Sequence, residues 1–316
     1  MTQISVVIPV YKSEDCLHEL YRRLKASIER ITEDFEIIMV EDCGGDRSWD
    51  IILELSIMDN RVKGIQLIRN FGQHNALLCG IRAAQGEVIV TLDDDLQHLP
   101  EDIPKLLNKL TEGYDVVYGT ALQQQHGLWR KLASRLIRLA LRTAMGANTA
   151  RNVSAFRAFR THVREAFRNF QGPFVSIDVL LTWGTTRFTA VPVRHDPRRA
   201  GISNYTFRKL VIHALNMMTG FSVLPLQLAS LIGFVFTLFG LGVLAYVMGR
   251  FLIQGSSVPG FPFLASMVAI FSGAQLFTLG IMGEYLARLH FCTMGRPYSV
   301  IRNTTEPFSQ RGENRP

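Results

Sequence analysis

Short, continuously apolar runs alternate with amphipathic stretches through the first two-thirds of the chain. Residues 4–9 form a β-branched run. Residues 14–31 follow with Leu17, Leu20, Tyr21, Leu24 and Ile28 on one face of a helical repeat. Residues 35–40 repeat the strand pattern and 48–59 the helical one; 62–67, 75–84 and 87–92 continue the alternation, and 115–119 reads as a further strand. Strands this apolar predict an α/β domain built on a mostly parallel open sheet with helices on both faces. In such sheets ligands sit beyond the carboxyl ends of the strands. The polar residues gather there: Pro9-Val10-Tyr11-Lys12, then Glu41-Asp42-Cys43-Gly44-Gly45-Asp46, then Asp93-Asp94-Asp95-Leu96-Gln97.

The last third has a different pattern. Residues 221–248 carry no charge, which exceeds the roughly 20 residues that cross a hydrocarbon core. A second uncharged stretch, 251–283, is broken by the Gly-, Ser- and Pro-rich residues 255–262, so the second span is expected at 263–285. Gly233, Gly240, Gly242, Gly273 and Gly280 permit close helix packing there. Arg208 and Lys209 precede the first span, Arg288, Arg296 and Arg302 follow the second, and Arg250 alone lies between. That asymmetry predicts both termini in the cytoplasm. No signal-peptide pattern precedes the first strand, in keeping with a cytoplasmic first domain. Upstream, residues 128–145 set Arg130, Lys131, Arg135, Arg138 and Arg142 among Leu132, Leu136, Ile137, Leu139 and Leu141 at helical spacing. This pattern suits either an ordinary surface helix with a solvated basic face or a helix lying on an anionic membrane surface; the apolar stretches that follow favour the membrane, and residues 206–218 form a second such segment. The expected organisation is a cytoplasmic domain (1–205), a juxtamembrane helix (206–220), a two-helix transmembrane hairpin (221–286) and a cytoplasmic tail (287–316).

Composition narrows the partners. The chain has 316 residues, 47% of them hydrophobic, and a formal net charge of +7. A basic balance suits nucleic acid, an anionic membrane or phosphorylated substrates. No nucleic-acid-binding signature accompanies it, so membrane and phosphate are the expected partners, and nucleic acid is not. Cys16, Cys43, Cys79 and Cys292 have neither zinc-site nor redox-pair spacing.

The run Asp93-Asp94-Asp95 follows directly on an apolar strand. Asp-x-Asp on a tight turn presents the hard oxygen ligands that Mg²⁺ or Mn²⁺ prefers, completed by water and substrate phosphates. Gln97 adds a neutral oxygen two residues on.

Four segments carry a resemblance: Ser5-Val6-Val7-Ile8-Pro9-Val10-Tyr11, Val40-Glu41-Asp42 with Asp46, Arg69-Asn70-Phe71-Gly72-Gln73-His74 and Leu92-Asp93-Asp94-Asp95-Leu96-Gln97-His98. Together they resemble the family 2 glycosyltransferases. More narrowly, the chain is similar to the polyprenyl-phosphate sugar synthases, the group of dolichol-phosphate mannose synthases, undecaprenyl-phosphate glucosyltransferases and undecaprenyl-phosphate aminoarabinose transferases. Arg198-Arg199-Ala200-Gly201-Ile202-Ser203-Asn204-Tyr205 is similar to that group's Arg-x-x-Gly-x-Ser-Lys-Tyr, and Gly283-Glu284-Tyr285-Leu286-x-Arg288 also matches. The resemblance implies a GT-A-type fold and an inverting, metal-assisted transferase at the inner membrane. The substrates it implies are a nucleotide sugar (a UDP-sugar) and a polyprenyl phosphate such as undecaprenyl phosphate; it also implies a homo-oligomer, with a tetramer as one form. It places Pro9, Tyr11, Asp42, Gln73, Asp93 and Asp94 at the nucleotide sugar and Asp93, Asp95 and Gln97 at the metal. Asp95 and Arg198 are the expected catalytic residues. Arg130, Lys131, Arg135, Arg198 and Ser203 are expected at the acceptor phosphate or membrane surface.

The chain departs from the pattern in several places. Lys12-Ser13 stands for Asn-Glu, Asp42-Cys43-Gly44 for Asp-Gly-Ser, and Asn204 for Lys; the arginine usual after Gly119 is missing. Asn152-Val153-Ser154-Ala155-Phe156-Arg157 replaces Asp-x-Gly-Asp-Phe-Arg, so both carboxylates of that motif are gone. A sugar-hydroxyl nucleophile needs a general base, whereas a phosphate monoester, with a second pKa of about 6, is already largely ionised. The departure therefore favours a phosphate acceptor. Two other readings remain: a polysaccharide synthase, for which the Gln-x-x-Arg-Trp motif and further spans are missing, and a non-catalytic membrane protein that binds nucleotide sugar.

Overall fold

The structure, a computed structural model, describes residues 3–121, 153–172, 175–196, 219–220, 223–254, 260–295 and 297–305. The predicted amphipathic helix at 128–145 and nearly all of the juxtamembrane segment at 206–220 lie outside these residues.

The alternation in the first third of the chain folds in order as β1 (Ile4–Val10), α1 (Leu17–Ile28), β2 (Phe35–Glu41), α2 (Ser48–Met58), β3 (Val62–Leu67), α3 (Gln73–Ala83) and β4 (Val88–Thr91). Then come α4 (Ile103–Thr111), β5 (Val116–Ala121), β6 (Arg157–Arg160), α5 (Ile177–Gly184), β7 (Phe188–Val193), α6 (Leu224–Gln254), α7 (Phe261–Thr293) and β8 (Ile301–Thr304). The sheet has eight strands in the order β7-β5-β6-β4-β1-β2-β3-β8. β6 and β8 run antiparallel to their neighbours, and the remaining pairings are parallel. The apolar runs at 4–9 and 35–40 are central strands because every residue of β1 and β2 is buried.

Period-two alternation sorts these side chains onto two faces. Val6, Ile8, Ile37 and Met39 pack under α1, α2 and α4, with Leu17, Leu24, Ile52 and Leu106 from the helices. Val7, Ile38, Val40 and Ile89 pack under α3 and α5, against Leu77, Ile81 and Leu180. The closest approach is at Gly80 of α3, where a Cβ would lie 2.4 Å from Val7 Cγ1. Only a residue without a side chain lets α3 lie this near β1.

Strands β6, β7 and β8 have weaker sequence patterns. β6 is four residues long and β7 is only partly buried, while β8 lies beyond both long helices. β8 nevertheless returns to the sheet, pairing Thr304 with Ile65 and Asn303 with Gln66. The expected C-terminal tail thus supplies an edge strand, which satisfies the open side of β3. The approach to it is fixed by Tyr298, whose ring lies 4.3 Å from the Arg82 guanidinium.

α6 and α7 have 31 and 33 residues, so each is about 46–50 Å long at the α-helical rise. Among the described residues, one helix, Leu224–Ile253, meets both the length and apolarity needed to cross a membrane. Leu231, Phe234, Val235, Leu238 and Phe239 of α6 are exposed to the surroundings, which a water-soluble helix would avoid. α6 packs on α7 through Phe236 and Phe271, whose rings meet edge to face at 6.0 Å.

Gly80→Val should overpack the α3–β1 contact. We expect a loss of about 1–3 kcal/mol, read as a lower urea midpoint of the detergent-solubilised protein at unchanged m-value.

Candidate active site at the strand ends

The carboxyl ends of β1, β2 and β4 converge with the start of α3. Each of these strands is followed by a residue forced into the left-handed region: Lys12 (φ 57°), Cys43 (φ 54°) and Leu96 (φ 59°). Non-glycine residues in that conformation cost roughly 1–2 kcal/mol each. Among the described residues these are the only non-glycine cases. Such strain concentrates where a fold holds loops for a ligand.

Two carboxylates brace these loops. Asp42, buried at the end of β2, accepts the backbone N–H groups of Phe71 (2.7 Å) and Gly72 (2.8 Å). It thereby ties β2 to the loop that opens α3. Burial pushes its pKa up, and the two N–H donors oppose that shift. Asp94 does the same for β1: its Oδ2 accepts the Tyr11 N–H at 3.0 Å and the Ser13 hydroxyl. Its carboxyl is also pushed up by burial, against the pull of these donors.

With Asp94 turned to β1, its neighbours hold different partners. Asp93 Oδ1 accepts from the Gln73 side-chain amide at 2.6 Å, in the first turn of α3. Asp95 Oδ1 accepts the backbone N–H of Gln97 at 3.1 Å. Asp93, Asp95 and Gln97 are each partly exposed. Two hard carboxylate donors at an accessible turn fit a Mg²⁺ or Mn²⁺ ion that completes its shell with water and phosphate oxygens, and the positive end of α3 beside them favours the phosphate rather than the ion. Among the described residues no three acidic, His or Cys side chains come together as a ready-made metal cage.

Tyr11 is half exposed at the rim, with the Lys12 ammonium 5.5 Å from its ring; Arg69 stacks on Phe71 at 4.3 Å. Pro9 is buried in β1, in register with Val40 of β2. Of the residues expected at the site, Tyr11, Asp42, Gln73, Asp93, Asp94, Asp95 and Gln97 lie in the loops and first helical turn at the carboxyl ends of β1, β2 and β4, with Pro9 inside β1. Arg130, Lys131, Arg135, Arg198 and Ser203 lie outside the described residues.

Sequence reasoning missed an ion pair beside the end of β4. Arg157 of β6 is almost wholly buried, in register with Thr91 at the end of β4. Its guanidinium meets Asp178 Oδ1 of α5 at 2.5 Å, and the Tyr118 hydroxyl donates to the same oxygen at 3.2 Å. The Phe156-Arg157 remnant of the altered motif was the available signal. Asp178 is committed to these partners and so does not replace the carboxylates lost at Asn152 and Ala155. His98, a turn residue by sequence, stacks on His195 at 5.1 Å; burial and that neighbour lower its pKa to about 4, so the ring is neutral.

Comparison with known proteins follows the same lines. The sequence model described as Glycosyl transferase family 2 matches residues 5–168. The chain is 34% identical over 304 residues to the undecaprenyl-phosphate 4-deoxy-4-formamido-L-arabinose transferase of Pectobacterium carotovorum subsp. carotovorum, covering 95% of this chain and 93% of that protein. The protein of the same description from Pectobacterium atrosepticum is equally similar, at 34% over 304 residues with 95% and 93% covered. Among solved structures, glucosyl-3-phosphoglycerate synthase from Mycobacterium tuberculosis in complex with Mn²⁺, UDP and phosphoglyceric acid superposes with a TM-score of 0.52 at 16% identity. It covers 69% of this chain and 76% of that one. The fold is GT-A-like.

Asp94→Ala should release Tyr11 and Ser13 from the β4 turn. The expected cost is about 1–3 kcal/mol of stability, measured by chemical unfolding, while Asp94→Asn, which keeps one acceptor oxygen, should lose less.

Proposed function

Because the chain belongs to glycosyl transferase family 2 and is a glycosyltransferase, we propose that it transfers a sugar, with inversion, from a UDP-sugar to undecaprenyl phosphate or a similar polyprenyl phosphate. The similarity along 95% of the chain to transferases named for undecaprenyl phosphate carries this reading. The strand-end crevice, with its paired carboxylates and rim cations, supports it.

In this reading Pro9, Tyr11 and Asp42 line the nucleoside side of the crevice, and Asp93, Asp95 and Gln97 hold Mg²⁺ or Mn²⁺ with the diphosphate. The presence of Mn²⁺ with UDP in the M. tuberculosis synthase is in keeping with that assignment. When bound, the ion neutralises the charge that develops on the departing nucleoside diphosphate. Gln73 orients Asp93 through its amide. A lipid-phosphate oxygen attacks the anomeric carbon in line as the bond to the diphosphate breaks. It is ionised beforehand and needs positioning rather than a base. Arg198 and Ser203 take that positioning role, and Arg130, Lys131 and Arg135 face the membrane surface. Residues 1–205 form the catalytic domain, residues 206–220 the juxtamembrane helix and 287–316 the tail that ends the chain.

The fold supports a multi-pass arrangement at the inner membrane. The chain leaves the sheet after β7 and rejoins it as β8, beside β3. If α6 crosses the bilayer, α7 must cross back for β8 to reach that edge. A hairpin over 221–286, with catalytic domain and termini on the cytoplasmic side, meets this requirement. Self-association into a homo-oligomer rests on the resemblance.

Membranes containing the protein, given labelled nucleotide sugars, undecaprenyl phosphate and Mg²⁺ or Mn²⁺, should form a lipid-linked sugar. UDP-4-deoxy-4-formamido-L-arabinose belongs in the donor panel. Asp95→Ala should lower the rate by at least about 100-fold. No product across the panel, or undiminished product from Asp95→Ala, would overturn the reading.

Thiol labelling gives a second check. Burial pushes Cys79 up to about 11, so it should resist iodoacetamide at pH 8, while exposed Cys43 reacts. Cys43 follows Asp42 directly, so UDP with Mn²⁺ should slow its labelling severalfold and leave the labelling of exposed Cys292 unchanged.

A further inference from the structure

The Asp95 turn does not stand on β4 alone. A three-residue segment following β7 lies antiparallel against it, with His195 bridged to His98. The Gln97 carbonyl accepts the Asp196 N–H at 3.0 Å and faces His195 Nδ1 at 3.2 Å. The same Gln97 donates its own N–H to Asp95 Oδ1. The peptide of Gln97 thus links the β7 extension to the Asp95 carboxylate.

The extension is held in turn by Asp102. This buried residue opens α4, where an aspartate ordinarily caps its own helix, yet it makes no side-chain cap bond. Its Oδ2 instead accepts the Arg194 N–H at 2.9 Å, and its Oδ1 pairs with Lys105 at 2.6 Å. Asp196 contributes its backbone to the turn, and Arg23 of α1 is paired with Glu101. Arg194, His195 and Asp196 are exposed. An exposed segment of this length keeps its place through these bonds rather than through apolar burial.

We propose that Asp102 is a positioning residue for the Asp95 carboxylate, acting through the Arg194–Asp196 segment and the Gln97 peptide. This deepens the metal-and-diphosphate assignment above and rests on it for its functional consequence. The brace itself is a separate physical claim.

Two readouts test it in the full-length protein in detergent. Hydrogen exchange should speed up at the amides of Arg194 and Asp196 in Asp102→Ala. UDP binding by calorimetry should show the metal-dependent part weakened by about tenfold, the scale of one lost hydrogen bond to a charged group, with metal-free UDP affinity unchanged. Asp102→Asn, whose amide oxygen still accepts the Arg194 N–H, should restore both to within about threefold. Should Asp102→Ala not fold, Asp196→Pro removes the other bond at an exposed position and should give the same weakening. Unchanged exchange at 194–196, or equal loss of UDP affinity with and without Mn²⁺, would overturn the brace. A wild-type protein that forms no lipid-linked sugar would instead overturn the proposed reaction, leaving the exchange result to decide the brace.

Discussion

Two inward-facing carboxylates set the geometry on which the site depends. Asp42 and Asp94 each take up the backbone N–H of a loop from a neighbouring element. These donors lie in loops beyond the strand ladders, and a hydrogen bond from such a group to a charged acceptor contributes roughly 1.5–3 kcal/mol. A carboxylate suits such donors because it accepts in several directions at once. The consequence is a division of labour within Asp93-Asp94-Asp95. The middle residue fastens β1 to β4, and the outer two remain at the accessible turn.

Topology extends the same logic to the membrane. The sheet would end at β3 with an open edge, and β8 closes it after the chain has run through two long helices. Arg82 reinforces the join: it donates to the Phe170 carbonyl at 2.6 Å and stacks on Tyr298. The chain therefore joins the sheet to the apolar helices both before α6 and after α7.

The chemistry agrees with what the chain lacks. Within the described residues, Asp178 is engaged by Arg157 and Tyr118. A nucleophile that arrives already ionised is the one such a site can use without a base.

The sequence by itself determined the layered fold and the place in it where a candidate site would lie. Continuous apolar runs can be buried only between two helical layers, and the residues that follow them must lie at the sheet's rim, so Tyr11, Asp42 and Asp93–Asp95 were legible from local pattern alone. The uncharged stretch that became α6 was legible for the same reason. What sequence could not supply were roles fixed by contacts between distant segments. Asp94 was expected beside its neighbours at the nucleotide sugar, and its bond to the Tyr11 N–H could not be read from the run. Asp102 read as nothing, since its partner lies 92 residues away, and β8 was invisible because four residues pair only where β3 offers an edge. Hydrophobic periodicity acts within one element and survives in one dimension; hydrogen-bond partnership between elements exists only once the sheet has brought them together.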